Sequence, residues 1–290
     1  MAADDRAWTD GTWESADGLE LHYRDYAGRA DRPALLCLPG LTRNARDFEP
    51  VADAFAGEWR VVAVDLRGRG DSDYAKDSAS YIPRQYVEDL LLLIDRECLH
   101  DAVILGTSLG GLLAVMLNAA RPGSFSGFVI NDIGPEIDPV GLERIRNYVG
   151  QGRSFPTWMH AARSLRENSS HIYPDYELTD WLALAKRSMC LSGNGRITYD
   201  YDMKIAEPFA DAEDGVAPEA LWPLFRELRG KPVLALRGEL SDLLSARTFA
   251  RMQEELRDMA GVTVARTGHV PTLAEPEVQQ AIATFLGRLA

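Results

Sequence analysis

A serine between two glycines is the strongest indication of chemistry in this chain of 290 residues. The run Gly106-Thr107-Ser108-Leu109-Gly110 has the Gly-x-Ser-x-Gly pattern, in which a sharp strand-to-helix turn exposes the serine hydroxyl. Apolar residues at 102–105 predict the strand before the turn, and residues 109–118, rich in Leu and Ala, predict the helix after it. This context favours Ser108 as a nucleophile over a serine that only caps a helix.

A serine hydroxyl needs a base within hydrogen-bond reach, and the base needs a carboxylate to orient it. Among five histidines, His269 directly follows the last apolar run and completes the chain order Ser, Asp, His. Asp242 and Glu239 both follow the apolar run at 233–236, and Asp242 is the preferred orienting acid. We therefore predict Ser108, His269 and Asp242 as a catalytic triad, with Glu239 as an alternative acid.

Attack by a serine on a carbonyl creates an oxyanion, which two backbone N–H groups can stabilise. The residue after the nucleophile, Leu109, offers one amide. The turn Leu38-Pro39-Gly40-Leu41 leaves another predicted strand and offers a second amide at Leu41. We predict the amides of Leu41 and Leu109 as the oxyanion hole.

The elements that must position these residues form a regular pattern. Short continuous apolar runs indicate strands buried on both faces, as in a parallel sheet, and they lie at residues 34–38, 61–64, 102–105, 128–130, 233–236 and 262–264. Helical spacing of apolar residues separates several of these runs. Residues 11–26 hold Asp17-Gly18 between two alternating arms, which predicts an antiparallel hairpin. The predicted fold is α/β, a mostly parallel doubly wound sheet with this hairpin at its start.

Residues 134–213 interrupt the alternation of strands and helices. This stretch is rich in aromatic residues, contains no buried-strand run and is predicted to be mainly helical. We interpret it as a cap inserted after the sixth strand, over the sheet edge where ligands bind. Residues 1–133 and 214–290 would then form one core domain. Aromatic residues of the cap, among them Trp158, Trp181 and Tyr199, are expected to line an apolar pocket or to form the core of the cap.

The composition limits the classes of partner. The net charge of −13 disfavours binding to nucleic acid and to anionic membrane surfaces, and no apolar run is long enough to span a bilayer. Three widely spaced cysteines and the acidic N-terminal residues, without an apolar signal core, favour a cytoplasmic protein. Metal-binding and dinucleotide-binding motifs are missing, so we expect no cofactor and no metal. The expected partner is a small-molecule substrate, and the oligomeric state stays open.

The motifs together resemble those of capped α/β-hydrolases, and the resemblance spans both halves of the predicted sheet domain. They are Leu38-Pro39-Gly40-Leu41, the run 65–72, Gly106-Thr107-Ser108-Leu109-Gly110, Asn131-Asp132-Ile133-Gly134-Pro135, Gly238 with Asp242, and Gly268-His269. Many relatives carry His-Gly where this chain has Pro39-Gly40, a change that keeps the backbone donor. Some related folds place the acid where Asp132 stands, so Asp132 is a further alternative.

The resemblance implies two-step acyl transfer through a covalent intermediate on Ser108. We expect a carboxylesterase or lactonase acting on a small, fairly apolar substrate. Hydrolysis of a carbon–carbon bond by the same triad is an alternative, as is a ligand-binding protein that no longer hydrolyses. The serine disfavours the dehalogenase and epoxide-hydrolase reactions of the superfamily, which need a carboxylate nucleophile.

Overall fold

The computed structural model describes residues 7–211 and 221–290. The strands of this part of the chain are β1 (Thr9–Glu14), β2 (Glu20–Tyr26), β3 (Leu35–Leu38), β4 (Val61–Val64), β5 (Val103–Thr107), β6 (Gly127–Asn131), β7 (Ser154–Phe155), β8 (Met189–Leu191), β9 (Ile197–Tyr199), β10 (Val233–Gly238) and β11 (Ala260–Val264). The α-helices are α1 (Glu49–Phe55), α2 (Pro83–Arg96), α3 (Leu109–Ala120), α4 (Pro139–Tyr148), α5 (Trp158–Ser169), α6 (Leu178–Ser188), α7 (Ala206–Asp211), α8 (Trp222–Arg226), α9 (Ala246–Glu255) and α10 (Pro276–Leu286). Short 3-10 helices lie at Ala45–Phe48, Ser78–Ser80 and Met203–Ile205. Among the helices described, none is long and apolar enough to cross a bilayer.

Eight strands form one sheet in the order β1-β2-β4-β3-β5-β6-β10-β11. The pairs β1–β2 and β2–β4 are antiparallel, and the other neighbours in the sheet are parallel. The predicted α/β class, the mostly parallel sheet and the N-terminal antiparallel hairpin are confirmed.

The strands are continuously apolar because helices cover both faces of the sheet. Successive side chains point to opposite faces, so Leu36 packs into the core on one side, whereas Leu35 and Cys37 pack into the core on the other. Helices α2, α3 and α9 contribute to the first core, and α1 and α10 contribute to the second. A sheet buried in this way fixes the carboxyl ends of its strands, where the loops of the site begin.

The segment from residue 134 to Asp211 lies between β6 and β10 and contains α4 to α7. It also contains a three-stranded antiparallel sheet in the order β7-β9-β8, which the sequence analysis did not predict. Strands of two or three residues are too short to give a periodic signal. A separate small core holds the segment together, with Trp181 and Ala161 fully buried in it. The predicted boundary at 213/214 lies outside the described residues.

Candidate active site

Ser108 occupies the sharp turn between β5 and α3. Its backbone has φ 52° and ψ −115°, in the left-handed region that a residue with a side chain rarely adopts. The flanking glycines make the turn possible, because a Cβ on Gly106 would lie 2.2 Å from the carbonyl oxygen of Gly110. A Cβ on Gly110 would in turn lie 2.0 Å from the carbonyl oxygen of Leu38. Each glycine of the motif therefore permits a backbone contact that no side chain could accommodate.

His269 reaches Ser108 from the loop that follows β11. Its Nε2 lies 2.9 Å from the Ser108 Oγ, and only 7% of its side chain is exposed. Its Nδ1 lies 2.8 Å from Oδ2 of Asp132. An ionised carboxylate can only accept, so Nδ1 donates to Asp132, and Nε2 is left to accept the Ser108 hydroxyl proton.

Asp132, rather than Asp242, is thus the hydrogen-bond partner of His269. The Asp132 side chain is fully buried and accepts two further hydrogen bonds, from the Gly238 amide at 2.9 Å and from the Ser241 hydroxyl at 2.7 Å. Three donors therefore fix both carboxylate oxygens. The sequence favours Asp242 as the partner of His269, with Asp132 as an alternative. The structure places the alternative, Asp132, beside the His269 ring.

Asp242 bonds to the segment between β6 and β10 and makes no hydrogen bond with His269 among the described residues. Its carboxylate accepts two hydrogen bonds from Arg144 of α4, at 2.5 and 2.8 Å. Burial raises the pKa of Asp242, but the hydrogen bonds and charge of Arg144 outweigh burial and lower it. Helix α4 holds the loop there, since a Cβ on Gly141 would lie 2.4 Å from the Asp242 carbonyl oxygen. Glu239 likewise makes no hydrogen bond with His269 among the described residues. Its carboxylate accepts a hydrogen bond from the Arg266 amide at 2.7 Å.

The order of the strands explains why Asp132 is the residue beside His269. Strand β6 lies between β5 and β10, and Asp132 is the first residue after β6. Asp242 comes four residues after the end of β10, so the chain has already turned towards α4. The carboxyl ends of adjacent parallel strands meet at one edge, which brings Ser108 and Asp132 together.

The amides of Leu41 and Leu109 are both available for an oxyanion. In the described part of the chain, neither amide donates a hydrogen bond. The turn that carries Leu41 lies close to the nucleophile, because a Cβ on Gly40 would lie 3.8 Å from the Ser108 Cβ. Leu109 begins α3, where backbone N–H groups lack partners within the helix.

Hydrogen bonds with the loop after β4 hold the turn that carries Leu41 in place. Arg69 is fully buried and donates from Nε to the Leu41 carbonyl oxygen at 2.9 Å. Asp65, from the same loop, accepts the Ala45 amide at 2.6 Å and contacts His22 Nδ1 at 2.7 Å. His22, Asp65 and Asp71 are also the one group of described residues placed closely enough to hold a metal ion. His22 and the Asp65 carboxylate already bond to each other, Asp65 also accepts the Ala45 and Asp71 amides, and none of the three residues lines the cavity beside Ser108.

The segment between β6 and β10 bonds to the backbone on both sides of His269. The Gly268 amide donates to the Ile172 carbonyl oxygen at 2.7 Å, and the Tyr173 hydroxyl donates to the Val270 carbonyl oxygen at 2.7 Å. An ion pair between Arg266 and Asp175 lies beside them. His269 is thus held by Asp132 at its ring and by this segment along its loop.

A cavity of about 440 Å³ opens beside Ser108 and His269. Helices α4, α5 and α6 supply much of its wall, together with Tyr148, Tyr173 and Tyr199. Trp181 and Trp158 do not line it, because they pack in and against the small core of the segment. Charged residues also line the cavity: four arginines, Arg43, Arg144, Arg153 and Arg187, and one aspartate, Asp47. Sequence reasoning missed Arg144, Arg153 and Arg187, since single arginines in helices and loops carry no pattern.

The model of the alpha/beta hydrolase family matches residues 35–281. The chain belongs to this family. It is 34% identical to 3-hydroxybutyrate-oligomer hydrolase of Cupriavidus necator, over 88% of this chain and 89% of that protein. It is 27% identical to 2-(acetamidomethylene)succinate hydrolase of Mesorhizobium japonicum, over 88% of each chain. The crystal structure of an alpha/beta hydrolase from Novosphingobium aromaticivorans, 55% identical, covers 97% of this chain and 99% of its own, with a TM-score of 0.93.

Both named relatives are hydrolases, and each aligns with this chain over nearly its whole length. Family membership and these alignments support hydrolase activity for the chain. The site geometry is the basis for proposing which bond is cleaved and which residues cleave it.

Proposed function

We propose that this alpha/beta hydrolase cleaves carboxylic esters, with Ser108 as nucleophile, His269 as general base and Asp132 as the acid that orients the base. The continuous hydrogen-bond chain from Ser108 Oγ through His269 to Asp132 is the observation that carries the proposal. Serine nucleophiles of acyl-transfer enzymes need such a chain, because a neutral hydroxyl attacks a carbonyl poorly.

In the first step, Ser108 Oγ attacks the ester carbonyl while its proton moves to His269 Nε2. The imidazolium that forms is stabilised by the Asp132 carboxylate, which stays ionised. The oxyanion accepts hydrogen bonds from the Leu41 and Leu109 amides, each worth about 2.7–4 kcal/mol of barrier in a comparable site. His269 then gives its proton to the leaving alkoxide, and an acyl-serine remains.

In the second step, a water molecule takes the place of the leaving alcohol. His269, now neutral, removes a proton from the water as it attacks the acyl-serine. Collapse of the second oxyanion releases the acid and returns the proton to Ser108. In both steps the imidazole of His269 acts as the base only in its neutral form, with Nε2 free to accept the proton.

The substrate that best fits is a short ester of a hydroxy acid. The 34% identical relative is named for oligomers of 3-hydroxybutyrate, in which ester bonds join hydroxy-acid units. The cavity of about 440 Å³ lies within the usual range for small-molecule sites. The segment between β6 and β10 would act as the cap over this cavity. Its arginines argue for a more polar substrate than the aromatic composition alone suggested.

Substitution of Ser108 tests the proposal directly. Ser108→Ala should lower turnover of p-nitrophenyl butyrate by a factor on the order of 10⁶, because the nucleophile is lost. A fluorophosphonate probe should label the wild-type protein at Ser108 and leave the variant unlabelled. Ser126→Ala, on another serine, is the control and should keep both signals. Ester turnover that survives in Ser108→Ala would contradict the assignment.

A further inference from the structure

The charge of the cavity is opposite to the charge of the chain. The whole chain carries a net charge of −13, yet the cavity lining contains four arginines and a single aspartate. A cavity of one sign with walls of low dielectric attracts ligands of the other sign. The lining therefore favours an anionic ligand.

Two of the four arginines are neutralised by neighbouring carboxylates. Arg43 forms two hydrogen bonds with Asp47, and Arg144 forms two with Asp242. Arg153 and Arg187 have no carboxylate partner among the residues at 7–208 and 221–290. The excess positive charge of the cavity thus belongs to these two side chains.

Arg187 is the better placed of the two for binding. It lies in the last turn of α6, is half-buried, and its Nε is completely buried without a hydrogen-bond acceptor among the described residues. A buried charged donor left without a partner is costly, so an acceptor from a ligand would be strongly favoured. Its backbone is held in place, since Arg46 donates to the Arg187 carbonyl oxygen at 3.1 Å.

We propose that Arg187, assisted by the charge of Arg153, binds a free carboxylate of the substrate. Guanidinium groups match carboxylates through paired hydrogen bonds, which a lysine cannot reproduce. The substrate would be an ester that also carries a carboxylate, as the chain end of a hydroxy-acid oligomer does. This inference rests on the proposed ester hydrolysis at Ser108 and adds the group that selects among esters.

A matched pair of substrates tests the subsite. Mono-p-nitrophenyl glutarate carries a free carboxylate, and its methyl ester is the neutral counterpart with the same acyl chain. Arg187→Gln should lower kcat/KM for the anionic ester about 10- to 100-fold, the range expected for hydrogen bonds to a charged group, and should leave the neutral ester within about twofold. The loss should lie mainly in KM, because the contact exists before and during reaction. Arg187→Lys should recover only part of it, and Arg153→Gln should have a smaller effect that weakens with added salt.

Lys186→Gln is the matched control, because Lys186 is the exposed neighbour of Arg187 on α6 and does not line the cavity. It removes the same charge and should leave the preference for the anionic ester intact. A second measurement avoids turnover: calorimetric titration of glutarate into Ser108→Ala should give binding that Arg187→Gln weakens about tenfold or more.

The outcomes separate this inference from the proposed function. If the wild-type protein cleaves neither ester and does not react with the fluorophosphonate, ester hydrolysis itself is overturned. If it cleaves both esters, but Arg187→Gln slows them equally or glutarate binds the variant as well as its parent, the carboxylate subsite is overturned and hydrolysis stands. An equal effect of Lys186→Gln would likewise overturn the subsite.

Discussion

The large sheet and the segment between β6 and β10 contribute to the site in different ways. Ser108 and Asp132 each follow a buried strand directly, so their backbones are fixed by the sheet and its two apolar cores. The segment has a small core of its own and contributes arginines, tyrosines and hydrogen bonds to the backbone beside His269. The proposed catalytic groups Ser108 and Asp132 are thus attached to the rigid sheet, and most of the proposed substrate-binding surface belongs to the segment.

The largest expected effect separates two carboxylates: Asp132 directly follows a strand of the sheet, and Asp242 is bound by Arg144 of the segment. Asp132→Asn should lower kcat by about 10⁴, as the equivalent change does in a trypsin-type triad, because the amide favours the wrong tautomer of His269. Asp242→Asn should change kcat only slightly, since Asp242 bonds to Arg144 and not to His269. Steady-state kinetics on p-nitrophenyl butyrate measures both. A damaging Asp242→Asn with a mild Asp132→Asn would reverse the assignment.

The next largest effect is on the free energy of unfolding, and it depends on how closely atoms pack around a glycine in each of the two regions. Gly110→Ala should destabilise the protein by about 3 kcal/mol or more, because its Cβ would lie 2.0 Å from a backbone oxygen of β3. Gly193→Ala, between β8 and β9 in the segment, is the matched control, since a Cβ there has no atom within 4 Å. Chemical denaturation of both variants gives the two free energies of unfolding. Equal stabilities would mean that the turn can relax around the added methyl group.

A smaller effect tests the link between the segment and the base. Tyr173→Phe removes the hydrogen bond to the Val270 carbonyl, and one such bond is worth about 0.5–1.5 kcal/mol. We expect kcat to fall about two- to tenfold, because His269 is held less firmly. Tyr201→Phe removes a hydroxyl that accepts the Gly150 amide, away from the His269 loop, and should leave kcat unchanged. The idea fails if both variants have the same kcat.

The smallest expected effect lies within the sheet and depends on pH. Burial lowers the pKa of His22, but the hydrogen bonds with Asp65 and Asp10 and the negative charges of Asp65 and Asp71 outweigh burial and raise it above its ordinary value. A raised pKa in the folded state means that protonated His22 stabilises the fold below the unfolded pKa, and this contribution disappears as pH rises through the folded pKa. The difference in unfolding free energy between wild type and His22→Gln should therefore narrow as pH rises from about 6.5, the ordinary histidine pKa, into the alkaline range. A difference that stays constant over this range would exclude the linkage.

Local patterns were enough to predict several elements of the site. Continuous apolar runs predicted the strands, because a strand buried on both faces has no room for polar residues. The Gly-x-Ser-x-Gly run placed Ser108 at the turn after β5. The motif can be recognised in a sequence because Gly106 and Gly110 make backbone contacts that leave no room for a side chain. The position of His269 after the last strand was also readable, and the structure brings its ring to Ser108.

The acid and the arginines could not be chosen from the sequence alone. Asp132 and Asp242 both follow strands. Which of them meets His269 depends on the strand order β5-β6-β10 and on Arg144, which binds Asp242. Arg187 carries no motif, and its role follows from a buried nitrogen and a cavity wall. The sequence by itself determined the strands of the large sheet, the turn at Ser108 and the fold class, because these depend on short-range patterns of burial and backbone strain. Only the tertiary structure decided which carboxylate meets His269 and which charges line the cavity, because those contacts join residues that are far apart in the chain.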